Sequence, residues 1–157
     1  LLTGPPEVLS NALEPSMAYS GSLYSREFFE LGRSRLKRGG LMCTYVPTAR
    51  TRRTVLDVFP YALDFHSSEF ASFMIGSNQP LTFDADRVRA RLYSDEVQSY
   101  LRSSSEQGPT TKLMERFLDQ VEVTSIDASS RGDVGGDVNT DLFPRDEYDK
   151  SYTGSYQ

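Results

Sequence analysis

A chain of 157 residues with 38% hydrophobic residues is long enough for one domain with a modest core, and its mean hydropathy of −0.47 is low enough to predict loop or tail within that length. A net charge of −5 and a pI near 4.9 argue against nucleic acid as a partner. No apolar run approaches the ~20 residues of a membrane-spanning helix, and a single cysteine, Cys43, rules out an internal disulfide.

Gly4-Pro5-Pro6 blocks regular structure at the start. Residues 8–13, from Val8 to Leu13, are expected to form a short strand, ended by Glu14-Pro15 because the residue before a proline is driven toward extended backbone. A loop follows over 16–21. Leu23, Phe28, Leu31 and Leu36 then recur near helical spacing, with Arg26, Glu30, Arg33 and Lys37 on the other side. Ser22 or Ser25 supplies the N-cap. Lys37 and Arg38 suit the negative end of the helix, and Gly39-Gly40 is expected to close it in a left-handed cap. Leu41 to Val46 is apolar except for Thr44, the pattern of a strand buried on both faces. Together these pieces make one crossover unit of an α/β sheet.

A second helix is expected over 48–58, with Thr51 as its cap, Val55, Leu56 and Phe59 inward, and Pro60 as its stop. Residues 61–66 and 69–76 read as two strands joined at Ser67-Ser68, with Phe70, Phe73 and Ile75 in the core, so the sheet is mixed. Three helices follow. The first, 84–92, is capped by Asp84, and the second, 95–102, by Ser94. After a linker at Ser103–Pro109, the third, near 111–122, carries Leu113, Phe117 and Val121 on one stripe beside Met114 and Leu118. From Ser129 the chain turns polar and glycine-rich, and no glycine there has the strand–GxGxxG–helix context of a phosphate loop.

The residues that could carry chemistry are few. Cys43 lies in an apolar run and is expected to be a buried, inert thiol. His66 stands alone, without the His/Cys spacing of a zinc site. Residues 26–53 are rich in arginine, and the region after Asp119 is mostly acidic. The two are expected either to be solvated faces or to meet, within the chain or across an interface.

The run Leu13-Glu14-Pro15, then Leu23-Tyr24-Ser25-Arg26-Glu27-Phe28-Phe29-Glu30-Leu31, then Arg35-Leu36-Lys37-Arg38-Gly39-Gly40-Leu41-Met42-Cys43, resembles the spermidine synthase-like family. The resemblance continues through Phe59-Pro60, Phe73-Met74-Ile75-Gly76-Ser77-Asn78-Gln79-Pro80-Leu81 and Arg87-Val88-Arg89-Ala90-Arg91-Leu92. It closes with Asn139-Thr140-Asp141, Pro144 and Glu147-Tyr148, and so touches most of the chain between 13 and 148.

The resemblance implies a fold: the C-terminal half of an S-adenosylmethionine-dependent methyltransferase-type, Rossmann-like α/β domain, a partial mixed sheet with a C-terminal hairpin and a helical C-terminal segment. It divides the chain into the half-domain at 1–81, a helical segment packed on it at 82–128, and an extended polar tail at 129–157. By the same resemblance Glu14 occupies the acidic position of the aminopropyl-transfer loop. There a carboxylate holds the polyamine cation and accepts its proton. The family's glycine-rich nucleotide turn and first three strands have no counterpart here. No cofactor is therefore expected of this chain by itself; decarboxylated S-adenosylmethionine would need an N-terminal half.

Two functions follow from that resemblance. One is a non-catalytic spermidine synthase-like subunit, a structural component of a larger assembly, whose other protein subunits cover the open sheet edge. Its interface candidates are Val8, Leu9, Leu13, Tyr19, Asp141, Glu147 and Tyr148. The alternative is the C-terminal part of a polyamine aminopropyltransferase. The opening Leu1-Leu2-Thr3-Gly4-Pro5-Pro6-Glu7 has neither Met nor the features of a signal peptide. The chain is thus expected to be trimmed or part of something longer, and to lie in the cytoplasm or peripherally on a membrane complex.

Overall fold

The computed structural model of the protein describes residues 8–9, 21–104, 110–131 and 137–148. Its strands are β1 (Val8–Leu9), β2 (Leu41–Tyr45), β3 (Tyr61–His66), β4 (Phe73–Ser77) and β5 (Glu122–Ile126). Its α-helices are α1 (Arg26–Arg35), α2 (Ala49–Val58), α3 (Ala85–Leu92), α4 (Asp95–Ser104), α5 (Thr110–Gln120) and α6 (Arg145–Tyr148), and a 3₁₀ turn at Gly21–Tyr24 precedes α1. The strands form one mixed sheet in the order β1-β2-β4-β3-β5. β1 and β2 pair in parallel, while β2, β4, β3 and β5 are antiparallel neighbours.

β1, β2 and β3 consequently run in one direction, and β4 and β5 in the other. Strands that run the same way need a crossover. α1 lies on the connection from β1 to β2, and α2 on that from β2 to β3. β4 then returns between β2 and β3, so the expected hairpin is present and the sheet is mixed as expected.

The register assigns the two faces. Met42, Gly76, Ala62 and Ile126 lie abreast on one face, with Thr44, Met74 and Asp64 in the next row. α1 and α2 cover this face and supply Phe29, Val55, Leu56 and Val58 to the core, joined by Phe59. The approach is close: a Cβ on Gly76 would stand 2.5 Å from the Phe59 ring, and one on Gly32 would stand 2.6 Å from the Met42 sulfur. On the opposite face Phe65 and Phe73 stack with centroids 4.4 Å apart. Phe117 of α5 stacks on Phe73 and meets Phe70 edge-on, while Phe83 meets Phe65 edge-on.

Several expected boundaries move. α1 ends at Arg35, because Leu36 turns to extended backbone and packs against the core. Lys37 and Arg38 therefore lie beyond the helix, in a turn closed by the Gly40 N–H donating to Lys37 O at 2.8 Å, where Gly39 takes a φ of 76°. The α1 cap is Ser25, which accepts from the Phe28 N–H. The cap of α2 is Thr48 rather than Thr51, since Thr48 is extended and accepts the Thr51 N–H while Thr51 faces inward, fully buried. β4 begins at Phe73 instead of 69, because Ser67 Oγ accepts the Glu69 and Phe70 N–H groups and opens a longer connection. The third expected helix stops at Gln120 and the chain enters β5, which adds a strand to a segment read as purely helical. The expected polar tail is not extended where it is described: residues 137–148 dock on the domain and end in α6.

Candidate functional site

In open α/β sheets ligands gather at the carboxyl ends of the parallel strands, beside the helix N-termini that follow them. Here that side carries the start of α1 and the start of α2. The sequence builds both starts from hydroxyl caps: Ser25 for α1, and Thr48 with Thr51 for α2.

The segment 137–148 closes on this side. Asp146, only 2% exposed, is its centre. Its Oδ2 accepts from Thr48 Oγ1 at 2.5 Å, Asn139 Nδ2 at 2.7 Å and Thr51 Oγ1 at 3.2 Å. Its Oδ1 accepts from Arg50 Nη1 in a short ion pair. Three donors on Oδ2 and one on Oδ1 leave neither carboxylate oxygen unpaired. Asn139 is completely buried and locks the segment to both helices. Its N–H donates to Thr54 Oγ1 at 3.0 Å, and its carbonyl accepts the Arg26 N–H at 2.8 Å. The negative Asp146 also sits at the positive end of the α2 dipole.

A second carboxylate completes the latch. Asp137 pairs with Arg50 at 3.0 Å, Arg145 at 2.7 Å and Arg53 at 3.6 Å. Burial pulls the Arg50 guanidinium down, but its bonds to Asp146 and Asp137 outweigh that and hold its pKa above the ordinary value. Burial raises Asp137, and the Arg50 and Arg145 charges more than reverse this, so its carboxyl titrates below the usual range. The arginine-rich and acidic regions thus meet within the chain. The arrangement is a saturated structural lock: every strong donor faces an acceptor, and Asp146 has no unpaired oxygen to offer a substrate proton.

The expected site residues fall unevenly around this lock. Glu14, Leu13 and Tyr19 lie outside the described residues. Val8 and Leu9 form β1, whose other edge has no neighbour among the described residues. Asp141 is exposed at the tip of the docked segment, where its N–H donates to Glu27 Oε2 at 3.0 Å. Glu147 and Tyr148 lie in α6. Asp146, Arg50 and Thr48 were not singled out by sequence as site residues, and Thr51 was expected only as a helix cap. The signal that could have found them is a polar, proline-broken run at 139–148 placed after the last apolar strand.

The remaining candidates are quiet. Cys43 is half-buried on the face away from α1 and α2, where burial pushes its thiol up and away from a reactive thiolate. His66 is exposed, with Nδ1 3.1 Å from Ser72 Oγ. Among the described residues no group of His, Cys, Asp and Glu could hold a metal ion. An open cavity of about 350 Å³ lies at the other end of the sheet, lined by Tyr61, Pro80, Leu81, Ser125, Ile126 and Asp127. There hydrogen bonds from Ser129 and Ser130 lower the exposed Asp127 carboxyl to about 2.

No protein-family model matches the chain, and neither a curated protein nor a solved structure matches it. Among the described residues no helix is long and apolar enough to cross a membrane.

Proposed function

We propose that this chain is a spermidine synthase-like subunit that serves as a non-catalytic structural component of a larger protein assembly. The observation that carries the reading is the filled carboxyl-end crevice: Asp146 occupies the α2 N-terminus with both its oxygens paired. A cofactor at that helix end would have to displace the chain's own segment. The strand order supports the methyltransferase-type part of the reading, since three co-directional strands joined across α1 and α2 are interrupted by an antiparallel return strand. The partner subunits of this proposal cover the outer edge of β1, because an uncovered edge is a template for unwanted pairing.

One observation favours a second reading, the C-terminal part of a polyamine aminopropyltransferase. Glu14 follows β1 in sequence by five residues, on its carboxyl side, where the family resemblance puts the transfer carboxylate. Calorimetry of the 157-residue chain and of its Asp146→Ala variant with decarboxylated S-adenosylmethionine and with methylthioadenosine separates the two. The structural reading expects no saturable heat with either compound; binding in the micromolar range would overturn it and favour the transferase.

A further inference from the structure

The outward side of α1 is unlike an ordinary solvated helix face. Glu27, Leu31 and Arg35 follow one another at one-turn intervals and are all exposed, and Leu31 leaves 56% of its surface in water. On this stripe acid lies toward the helix start, with Glu27 and the adjoining Asp141, while Glu30 is paired with Arg26. Base gathers toward and beyond its end, with Arg35, Lys37 and Arg38, all exposed. Beside Glu27 the docked segment projects Leu142 and Phe143, which are 84% and 68% exposed. These two are held rigidly. Thr140 and Phe143 bridge through N–H···O bonds in both directions, and the buried Asn139 and Asp146 anchor the turn on either side. At the other end of α1 an open cavity of about 470 Å³ is lined by Glu30, Arg33, Ser34, Leu36 and Asn78.

We infer that this face binds a second copy of the chain, through α1 packed antiparallel on its symmetry mate about a two-fold axis at Leu31. The charge pattern selects that occupant. A partner of one sign would match one end of the face and be repelled by the other, whereas an inverted copy matches both ends at once. Glu27 and Arg35 lie equally far on either side of Leu31, so inversion sets each Glu27 against the other copy's Arg35 while Leu31 meets Leu31. The helix dipoles also oppose favourably. The Leu142-Phe143 turn stands at the start of α1 and so lies beside the end of the other α1. A two-fold contact of this kind is closed, and it limits assembly to a dimer.

Sedimentation velocity of the purified chain across a concentration series, at low and raised salt, tests this. The expected result is a monomer–dimer equilibrium that weakens as salt rises. Leu31→Glu places two like charges on the axis and weakens the dimer by at least about tenfold. Glu27→Arg alone and Arg35→Glu alone each weaken it by roughly three- to tenfold, since both symmetry-related pairs are lost, and the double swap restores it. All three positions are exposed, so circular dichroism should be unchanged in every variant, and Glu27→Gln, which keeps the acceptor for the Asp141 N–H, should weaken the dimer without loosening the docked segment. A monomer at every concentration overturns the inference. So does a dimer indifferent to Leu31→Glu, a double swap that fails to recover, or association that grows beyond two copies. Flotation with anionic vesicles, sensitive to Phe143→Ser, in a chain that stays monomeric would reassign the patch to a lipid surface and equally overturn it.

Discussion

Removing the Asp146 carboxylate should cost the protein about 3 kcal/mol. Asp146→Ala deletes three charge-assisted hydrogen bonds, from Thr48, Thr51 and Asn139, and one ion pair with Arg50. At ~1.5–3 kcal/mol for each bond to a charged group, the simple sum over these contacts is about 6–12 kcal/mol. The sum overshoots for two reasons. Arg50 keeps Asp137 as a partner, and the stranded hydroxyls regain water once the segment loosens, so the loss falls below a fully buried broken pair. For a chain of this size the change corresponds to a fall in Tm of roughly 6–12 °C. Urea denaturation followed by circular dichroism measures it. A double-mutant cycle with Thr51→Val should return a coupling of at least ~0.5 kcal/mol. If Asp146→Ala lies within ~0.5 kcal/mol of the parent protein and the cycle shows no coupling, the segment is not a latch and the self-occupied crevice fails as an argument.

Gly76→Ala should destabilise by about 1–3 kcal/mol, because the added Cβ lands 2.5 Å from the buried Phe59 ring and either the helix or the strand must shift; a neutral thermal melt would show that α2 does not pack this closely. Asp137 has a folded pKa below the ordinary 3.8, so its contribution is present above that value and is lost as pH falls through the folded pKa. The stability difference between the protein and Asp137→Asn, measured by urea titration, should therefore be largest near neutrality and shrink on acidification below 3.8; a difference independent of pH would contradict the pairing with Arg50 and Arg145.

Local signals carried most of the sheet. The apolar run Leu41–Val46 and the alternation at 61–66 mark β2 and β3, and Asp84 with Ser94 mark the starts of α3 and α4, because caps and periodicity are properties of a few consecutive residues. β5 was harder to see. Its residues Glu122-Val123-Thr124-Ser125-Ile126 follow an amphipathic helix without a proline or glycine between them, and only pairing with β3 makes them a strand. The end of α1 was misplaced for a similar reason. Gly39-Gly40 is a good stop signal, but the inward packing of Leu36 terminates the helix one turn earlier. The latch was the least legible part. Asp146 gains its meaning from Thr48, Thr51 and Arg50, which lie almost a hundred positions away, and no local pattern encodes that pairing. The excess of arginine in 26–53 and of acid after 119 left solvated faces and a meeting of the two regions as alternatives, and named no residues for either.

The latch also sharpens the choice between the two proposed functions. If closing the segment over the α2 N-terminus is worth about 3 kcal/mol, the open form is populated to under about 1% at equilibrium. A ligand that needs the open crevice then binds roughly 150-fold more weakly than its intrinsic affinity, because only the competent fraction can take it. A micromolar intrinsic site would register only near the upper end of a calorimetric titration, and silence from the parent chain would be ambiguous. Asp146→Ala removes the ambiguity. Under the transferase reading the variant should bind decarboxylated S-adenosylmethionine about two orders of magnitude more tightly than the parent chain does, at a temperature where circular dichroism shows both folded. Under the structural reading neither protein binds, since the crevice then has nothing to offer a ligand even when open. A tight complex in the variant alone would mean that the segment is an occluding element over a working site, and the non-catalytic reading would have to be given up.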